Sequence, residues 1–157
     1  NLYRTPEFKA EQTEVLTLLE RVFGLFKEQA EQQDTGLKID CPDSSLQVLL
    51  DVRMIEQVII NLVKNAMEAV RDQATRDIIL SVMRNKKELT ISVEDTGAGI
   101  PAEQMDSIFM PFFSTKETGT GIGLSFSQHI MRLHGGYIRV SSTQGKGSIF
   151  ELVFTGK

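Results

Sequence analysis

The amino-acid sequence predicts an α/β protein built as a two-layer α/β sandwich, with a mixed sheet of about five strands and three long helices on one face. Two kinds of pattern predict the elements: apolar residues recur at helical spacing in three long segments and alternate with polar residues in several short ones. A third observation is that these elements do not follow strict βαβ order, which favours a mixed sheet. A chain of 157 residues can bury the core of one such domain.

Composition excludes several classes of protein. A net charge of −4 without a Lys/Arg run argues against a nucleic-acid surface, because neutralising phosphates needs clustered cations. Cys41 is the single cysteine, which excludes a disulfide framework and a cysteine zinc site within the chain and fits a reducing compartment. No stretch approaches the roughly 20 apolar residues of a membrane span, so we expect a cytoplasmic domain without direct membrane contact.

The first third of the chain predicts a linker, a helix and two strands. Residues 1–6 have no apolar period and end in a proline, as is typical of a linker. Residues 11–33 carry an apolar stripe at helical spacing, while residues 37–40 and 46–50 read as short strands. We expect these two strands to form a hairpin on the sheet. The helical stripe consists of Val15, Leu19, Val22, Phe23, Phe26 and Ala30.

A second helix is predicted over about residues 53–71, with Asp51 as its N-cap. A polar row, Gln57, Asn61, Asn65 and Glu68, follows one side of it. Asn is a weak helix former, so two of them one turn apart require an explanation. Either the row is a solvated face, or side-chain carbonyls line a site and coordinate a hard cation, and the spacing supports both equally. The buried stripe is predicted to be Ile55, Ile59, Leu62, Val63, Ala66, Met67 and Val70.

The remaining chain predicts four strands and two helices. Strands are expected at 78–83 and 89–93, then a short helix at about 102–108 and a third long helix at 121–133, stopped by Gly135 and Gly136. A final hairpin joins strands 137–142 and 148–154. His129 and His134, on or at the end of the third long helix, have no paired carboxylate or metal-ligand spacing, and we interpret both as structural.

Two glycine clusters, residues 95–100 and 119–124, bracket a loop that could close over a phosphorylated ligand. The Asp95 carboxylate follows a strand and can accept a hydrogen bond from the exocyclic amino group of adenine. Guanine presents an oxygen at that position and would be repelled. Main-chain N–H groups at a helix start, residues 121–124, can hold phosphate oxygens without Lys or Arg. The pattern therefore predicts an adenine-nucleotide pocket.

Other residues complete the hypothesis. Asn65 could supply oxygen to Mg²⁺, with phosphates and waters filling the other positions, and Lys116 could reach the terminal phosphate from the loop. Phe109 and its loop neighbours Phe112 and Phe113 could anchor that loop when it closes, although at least one should belong to the core. The sequence Gly97 to Ala102 matches part of a dinucleotide-binding fingerprint, but the crossover helix and acidic strand end that this fold needs are missing.

These motifs resemble the ATP-binding catalytic domain of sensor histidine kinases, in the GHKL superfamily. Residues 61–66 resemble its N box, 95–100 its G1 box, 109–116 its F box and 119–124 its G2 box, all in family order, and 112–116 are similar to the nitrogen-regulator type. The resemblance implies ATP and Mg²⁺ as ligands. It also implies that residues 1–6 are a linker from an upstream dimerisation helix and residues 7–157 the ATP-binding catalytic domain.

The motifs and the resemblance together give the expected site residues. Asn61 and Lys116 are expected in catalysis, and Asn61 and Asn65 at the metal. The residues expected to contact the nucleotide are Asn65, Asp95, Gly97, Gly99, Ile100, Thr120, Gly121, Ile122, Gly123, Leu124 and Ser148; the resemblance adds Gly119 to the phosphate loop.

Two departures from the family pattern shape the expected function. Hydrolytic members of the superfamily carry a catalytic Glu where this chain has Asn61, an amide that cannot act as a general base. The family's phosphoacceptor His motif is absent. The resemblance therefore implies transfer of the ATP γ-phosphoryl group to a His on a separate dimerisation domain of the same, homodimeric protein, with a response regulator as partner. The alternatives are a GHKL-type ATP hydrolase or a nucleotide-binding regulatory module without transfer activity.

Overall fold

The computed structural model describes residues 7–110 and 123–155. Strands are numbered β1 to β7 and long helices α1 to α3 in chain order. The elements are β1 (Glu11–Glu14), α1 (Val15–Gln32), β2 (Gly36–Asp40), β3 (Gln47–Leu50), α2 (Val52–Val70), β4 (Asp77–Arg84), β5 (Glu88–Asp95), a short 3₁₀ helix (Ala102–Gln104), α3 (Gly123–Leu133), β6 (Tyr137–Thr143) and β7 (Gly147–Thr155).

The main sheet has five strands in the order β2-β4-β5-β7-β6. The pair β2–β4 is parallel and the other three pairs are antiparallel, so the sheet is mixed, as predicted. A parallel pair needs a crossover, which α2 supplies between β2 and β4. The short strands β1 and β3 form a second, antiparallel sheet.

The core lies between the sheet and the helices. Helix α1 packs against β2, α2 against β4 and β5, and α3 against β6 and β7. All seven apolar residues predicted for the α2 stripe are buried, as is every residue of the predicted α1 stripe except the half-buried Phe23. On the sheet side, Leu80, Ile91 and Leu152 are fully buried. The predicted fold class is therefore confirmed, and the apolar stripes visible in the sequence form the core.

The predicted hairpin between residues 37–40 and 46–50 is wrong. Strand β2 pairs with β4, Leu37 opposite Ile78, while β3 pairs with β1, Leu50 opposite Glu11. Alternation along a segment predicts that it is extended, but it does not choose its partner. Here β2 takes the sheet edge beside β4, where α1 covers it.

Two further boundaries differ from the predictions. Residues 11–14 form strand β1, and α1 begins at Val15, whose N–H donates to the Leu46 carbonyl at 3.1 Å. The segment Glu11–Glu14 has no apolar face to bury in a helix, and it pairs along β3 instead. The helix predicted near 102–108 is one 3₁₀ turn, Ala102–Gln104. In the described part of the chain, no helix combines the length and apolar content that crossing a membrane requires.

Candidate nucleotide-binding site

Asp95 is the last residue of β5, and its side chain lies on the helix-covered face of the sheet. It is only 5% exposed. One carboxylate oxygen, Oδ1, accepts a hydrogen bond from the Gly97 N–H at 2.8 Å, which folds the chain into a tight turn directly after the strand. Ser148 of β7 lies opposite Asp95 in the ladder and is also buried. Two residues that the sequence predicted for the nucleotide are therefore neighbours.

The glycines of the turn allow close approach of backbone to other elements. A Cβ atom at Gly97 would lie 2.7 Å from the Ala69 Cβ and 2.8 Å from the Ala69 carbonyl oxygen, so the turn packs directly on α2. Gly99 has a φ of 77°, and a Cβ there would collide with the Thr143 carbonyl at the end of β6. Both positions therefore require glycine, for contact and for backbone conformation respectively.

The β6–β7 hairpin holds the far side of the turn. The Ile100 N–H donates to Ser142 Oγ at 2.7 Å, and the Gly145 N–H donates to the Ala98 carbonyl at 2.6 Å. The hydroxyls of Ser142 and Ser148 lie 2.8 Å apart and share a hydrogen bond. The role of Ser142 was not predicted, and its sequence signal is weak, because only the strand register brings it opposite Ser148.

Thr96 fixes the near side of the turn, which was also not predicted. Its hydroxyl donates to the Thr75 carbonyl at 2.8 Å and accepts from the Asp77 N–H at 2.9 Å. The Thr96 N–H in turn donates to the Asp77 carbonyl at 3.1 Å. The turn is thus bonded to the start of β4 and to the β6–β7 hairpin, and it packs on α2, so contacts within the fold define its conformation.

The polar row of α2 divides into two kinds of residue. Asn61 and Asn65 are half-buried, whereas Gln57 and Glu68 are exposed. Asn61 Oδ1 accepts a hydrogen bond of 3.4 Å from Gln57 Nε2. Ala69, which touches Gly97, is one helical turn after Asn65. The fold therefore brings the amide-bearing part of α2 to the same side of the sheet as the Asp95 turn.

The start of α3 follows the second glycine cluster in the sequence. Gly123 is its first described residue, and Leu124 is half-buried against the core. Further along, Ile130 and Met131 are buried, whereas Phe126 is 42% exposed. The predicted residues Lys116, Gly119, Thr120, Gly121 and Ile122 lie outside the described residues, as do Phe112 and Phe113. Phe109 packs against the core.

The side-chain oxygens of α2 suit a Mg²⁺ ion that is coordinated partly by a bound phosphate ligand. Within residues 7–110 and 123–155, no three His, Cys, Asp or Glu side chains are grouped as a metal site would require. The amide oxygens of Asn61 and Asn65 are hard donors one turn apart on one helix. Mg²⁺ commonly takes one or two protein oxygens and completes its octahedron with phosphates and waters. These two residues fit that mode of binding.

Comparison with known proteins places the chain in context. Residues 50–156 match the family described as histidine kinase-, DNA gyrase B-, and HSP90-like ATPase. The sensor histidine kinase ZraS of Escherichia coli (strain K12) is 36% identical over 136 residues, covering 87% of this chain and 29% of that protein. Sporulation kinase A of Bacillus subtilis (strain 168) is 35% identical over 140 residues, covering 89% of this chain and 23% of that protein. The chain thus spans less than a third of either relative.

Solved structures of histidine kinases are similar to this chain in fold. The catalytic domain of histidine kinase ThkA superposes with a TM-score of 0.84 at 31% identity, covering 94% of this chain and 95% of that one. A structure of ThkA in complex with the response regulator TrrA gives a TM-score of 0.81 at 28% identity, covering 96% of this chain and 42% of that one. The match therefore extends over nearly the whole length of a separate catalytic domain.

Proposed function

Since this chain belongs to the family of histidine kinase-, DNA gyrase B- and HSP90-like ATPases, we propose that it is the catalytic half of a protein-histidine kinase. It binds Mg-ATP and presents the γ-phosphoryl group to a His on a dimerisation domain outside these residues. The observation that carries the proposal is the hydrogen-bonded turn after β5, which contains a buried carboxylate and packs at Gly97 against the Asn-bearing helix α2.

The base is held by Asp95. Its buried carboxylate accepts a hydrogen bond from the exocyclic amino group of adenine, and the low exposure of Asp95 strengthens that bond. Guanine offers an oxygen at the same position, which a carboxylate repels. Gly97 and Gly99, without side chains, leave the backbone free to approach the ring, and Ile100 and Ser148 contribute to the same pocket.

The triphosphate lies between α2 and the start of α3. Main-chain N–H groups of Gly123 and Leu124 hold phosphate oxygens at the start of α3. The N–H groups of Thr120, Gly121 and Ile122, which lie outside the described residues, are proposed to bind phosphate as well. Asn61 and Asn65 would supply amide oxygens to Mg²⁺, and the ion would neutralise phosphate charge. Lys116 is proposed to reach the γ-phosphate. Catalysis is then positioning and charge stabilisation, with the acceptor imidazole as nucleophile.

Transfer is favoured over hydrolysis by one residue. Asn61 cannot take a proton from water, so the site lacks a general base at the position where hydrolytic superfamily members have Glu. The partner domain with its phosphoacceptor His, dimerisation through that domain, and a response regulator as the next acceptor belong to the same proposal, as does a cytoplasmic location, where ATP is available.

Transfer of label tests the proposal. The chain is mixed with γ-³²P-ATP and Mg²⁺, alone and with the dimerisation domain of its own full-length protein. We expect label on the partner's His and none on the chain alone. Label on the isolated chain would overturn the assignment. Steady phosphate release that depends on Asp95 would instead indicate a hydrolase, and Mg-ATP binding without transfer to the competent partner would indicate a regulatory module.

A further inference from the structure

The ring of His134 joins three segments at the C-terminal end of α3. Its Nδ1 lies 2.8 Å from the Ile130 carbonyl oxygen, and its Nε2 accepts a hydrogen bond of 3.0 Å from the Asp51 N–H. The Phe8 ring meets it edge to face with centroids 4.8 Å apart, and the Phe154 ring does so at 6.0 Å. We call Phe8, Lys9, Asp51, His134 and Phe154 the His134 junction.

The two hydrogen bonds fix the protonation state of the ring. A carbonyl oxygen only accepts, so Nδ1 must carry a proton, and a main-chain N–H only donates, so Nε2 must be bare. The neutral tautomer protonated at Nδ1 is therefore the form that satisfies both partners. Burial lowers the pKa of His134, although the Ile130 carbonyl and the Asp51 carboxylate act in the opposite direction. A proton on Nε2 would face the Asp51 N–H and break that bond.

Asp51 connects this ring to α2. Its Oδ1 accepts from the Met54 N–H at 3.1 Å and so caps the helix, while Oδ2 accepts from the Lys9 N–H at 2.8 Å. The Asp51 carboxylate is the charged group that faces His134 within the described residues. Phe8 and Phe154 carry no charge, and the Lys9 ammonium lies at the surface 3.9 Å from Glu7. The junction thus fastens the start of α2 to the end of α3.

The same two helices form the nucleotide site at their other ends. Asn65 is 14 residues beyond Asp51, which corresponds to about 20 Å along the helix axis. Helix α3 begins at Gly123, beside the predicted phosphate loop, and α2 and α3 pack against each other. A change where the helices are joined therefore alters the spacing of the groups that hold the triphosphate, without any contact between His134 and the ligand.

We propose that His134 is a positioning residue for nucleotide binding: as a neutral imidazole it joins the end of α3 to the N-cap of α2 and so sets the separation of the two helices at the site. This rests on the proposed function. Protonation breaks the bond to Asp51, and affinity for Mg-ATP falls with it.

Two uncharged variants test this role. In His134→Gln the side-chain oxygen can still accept from the Asp51 N–H but does not titrate. His134→Asn places its amide near the position of Nδ1, which keeps the bond to Ile130 and loses the acceptor for Asp51. The Kd of Mg-ATP is measured by calorimetry between pH 5.5 and 8 for both variants and the wild type. Comparison with His134→Gln at each pH cancels the titration of the ATP phosphate itself.

We expect the ratio of the wild-type Kd to the His134→Gln Kd to rise by about 5-fold or more as the pH falls, a typical size for coupling between separated groups. His134→Asn should bind weakly at every pH. A ratio that stays constant across the range would overturn the positioning role. Absence of wild-type binding at pH 8 would overturn the proposed function instead, and with it the role that rests on it.

A measurement on the unsubstituted chain covers the case in which a variant fails to fold. Imidazole ¹⁵N NMR signals should identify the Nδ1-protonated neutral tautomer at pH 8. On acidification, the amide signals of Asn65 and Gly97 should move with the midpoint of the His134 ring. Amide signals of Asn65 and Gly97 that do not shift as His134 titrates would contradict the coupling between His134 and the site.

Discussion

Replacing Asp95 by Asn tests the proposed base recognition with a minimal change in shape. The Gly97 N–H donates to one carboxylate oxygen of Asp95, and an amide carbonyl can keep that bond. The NH₂ group of the variant then occupies the position of the other oxygen and presents a donor where the adenine amino group also donates. The turn should persist while the base contact changes from attraction to repulsion.

The size of the effect follows from the burial of the carboxylate. At 5% exposure the hydrogen bond is shielded from water, and a bond to a charged group contributes about 1.5–3 kcal/mol. At 1.4 kcal/mol per factor of ten, the Kd for Mg-ATP should rise roughly 10- to 150-fold. The amide NH₂ can donate to the guanine oxygen, so the preference for ATP over GTP should narrow at the same time.

Calorimetric titration with both nucleotides measures the two effects, and Glu94→Gln is the matched control. Glu94 precedes Asp95 in β5, is exposed, and points to the other face of the sheet, so the same loss of charge there should leave the Kd unchanged. Thermal unfolding checks that Asp95→Asn remains folded. The opposite result is a Kd of folded Asp95→Asn for ATP within about 3-fold of the Glu94→Gln value, which is less than half of a factor-of-ten step in binding free energy. That result would show that the carboxylate does not recognise the base.

Three further outcomes follow. Gly97→Ala should lower the free energy of unfolding by about 1–3 kcal/mol in a urea titration, because a Cβ would lie 2.7 Å from the Ala69 Cβ; Gly24→Ala, with nothing within 4 Å on α1, should instead raise it by up to about 1 kcal/mol. In Asn65→Ala, the gain in ATP affinity on adding Mg²⁺ should be smaller than in the wild type by on the order of 10-fold. An equal loss of ATP affinity in the presence of EDTA, or the same loss when the exposed Gln57 is replaced in Gln57→Ala, would exclude a metal role. Burial lowers the pKa of His134 below its ordinary value of 6.5, so the unfolded chain takes up the proton first. The contribution of His134 to the free energy of unfolding should therefore be fully present above about pH 6.5 and decrease as the pH falls below it. Urea unfolding at several pH values measures this, and the same pH dependence in His134→Gln as in the wild type would contradict it.

Local patterns in the sequence were sufficient to locate the three long helices, although not all of their boundaries. The apolar stripe of α2 and its cap are properties of residues within a few positions of each other, and the Asp51 side chain does accept from the Met54 N–H as an N-cap should. The strand partners were not predictable in this way. Leu37 and Leu50 lie in segments of similar pattern, yet they belong to different sheets, because β2 pairs with β4 and β3 pairs with β1, both of which are distant in the sequence.

The site shows the same division. Asp95 and its glycines were predicted as site residues because a carboxylate before a Gly-x-Gly turn is a short-range signal. The groups that hold this turn, Ser142 and Thr96 among them, act across the fold: Ser142 is 42 positions from Ile100, which it binds. His134 was interpreted as structural, and its bond to the Asp51 N–H, which spans 83 positions, has no sequence signature.

The bonds between the Asp95 turn and the last hairpin have a consequence for biosynthesis. A growing chain that has left the ribosome only as far as α3 contains the carboxylate and both asparagines, but Ser142 and the Gly145 N–H do not yet exist to hold Ile100 and Ala98. A nucleotide bound as proposed therefore has no finished cradle on this unfinished polypeptide and cannot act as a template for its folding. Only once β6 and β7 have emerged can nucleotide begin to stabilise the domain by mass action.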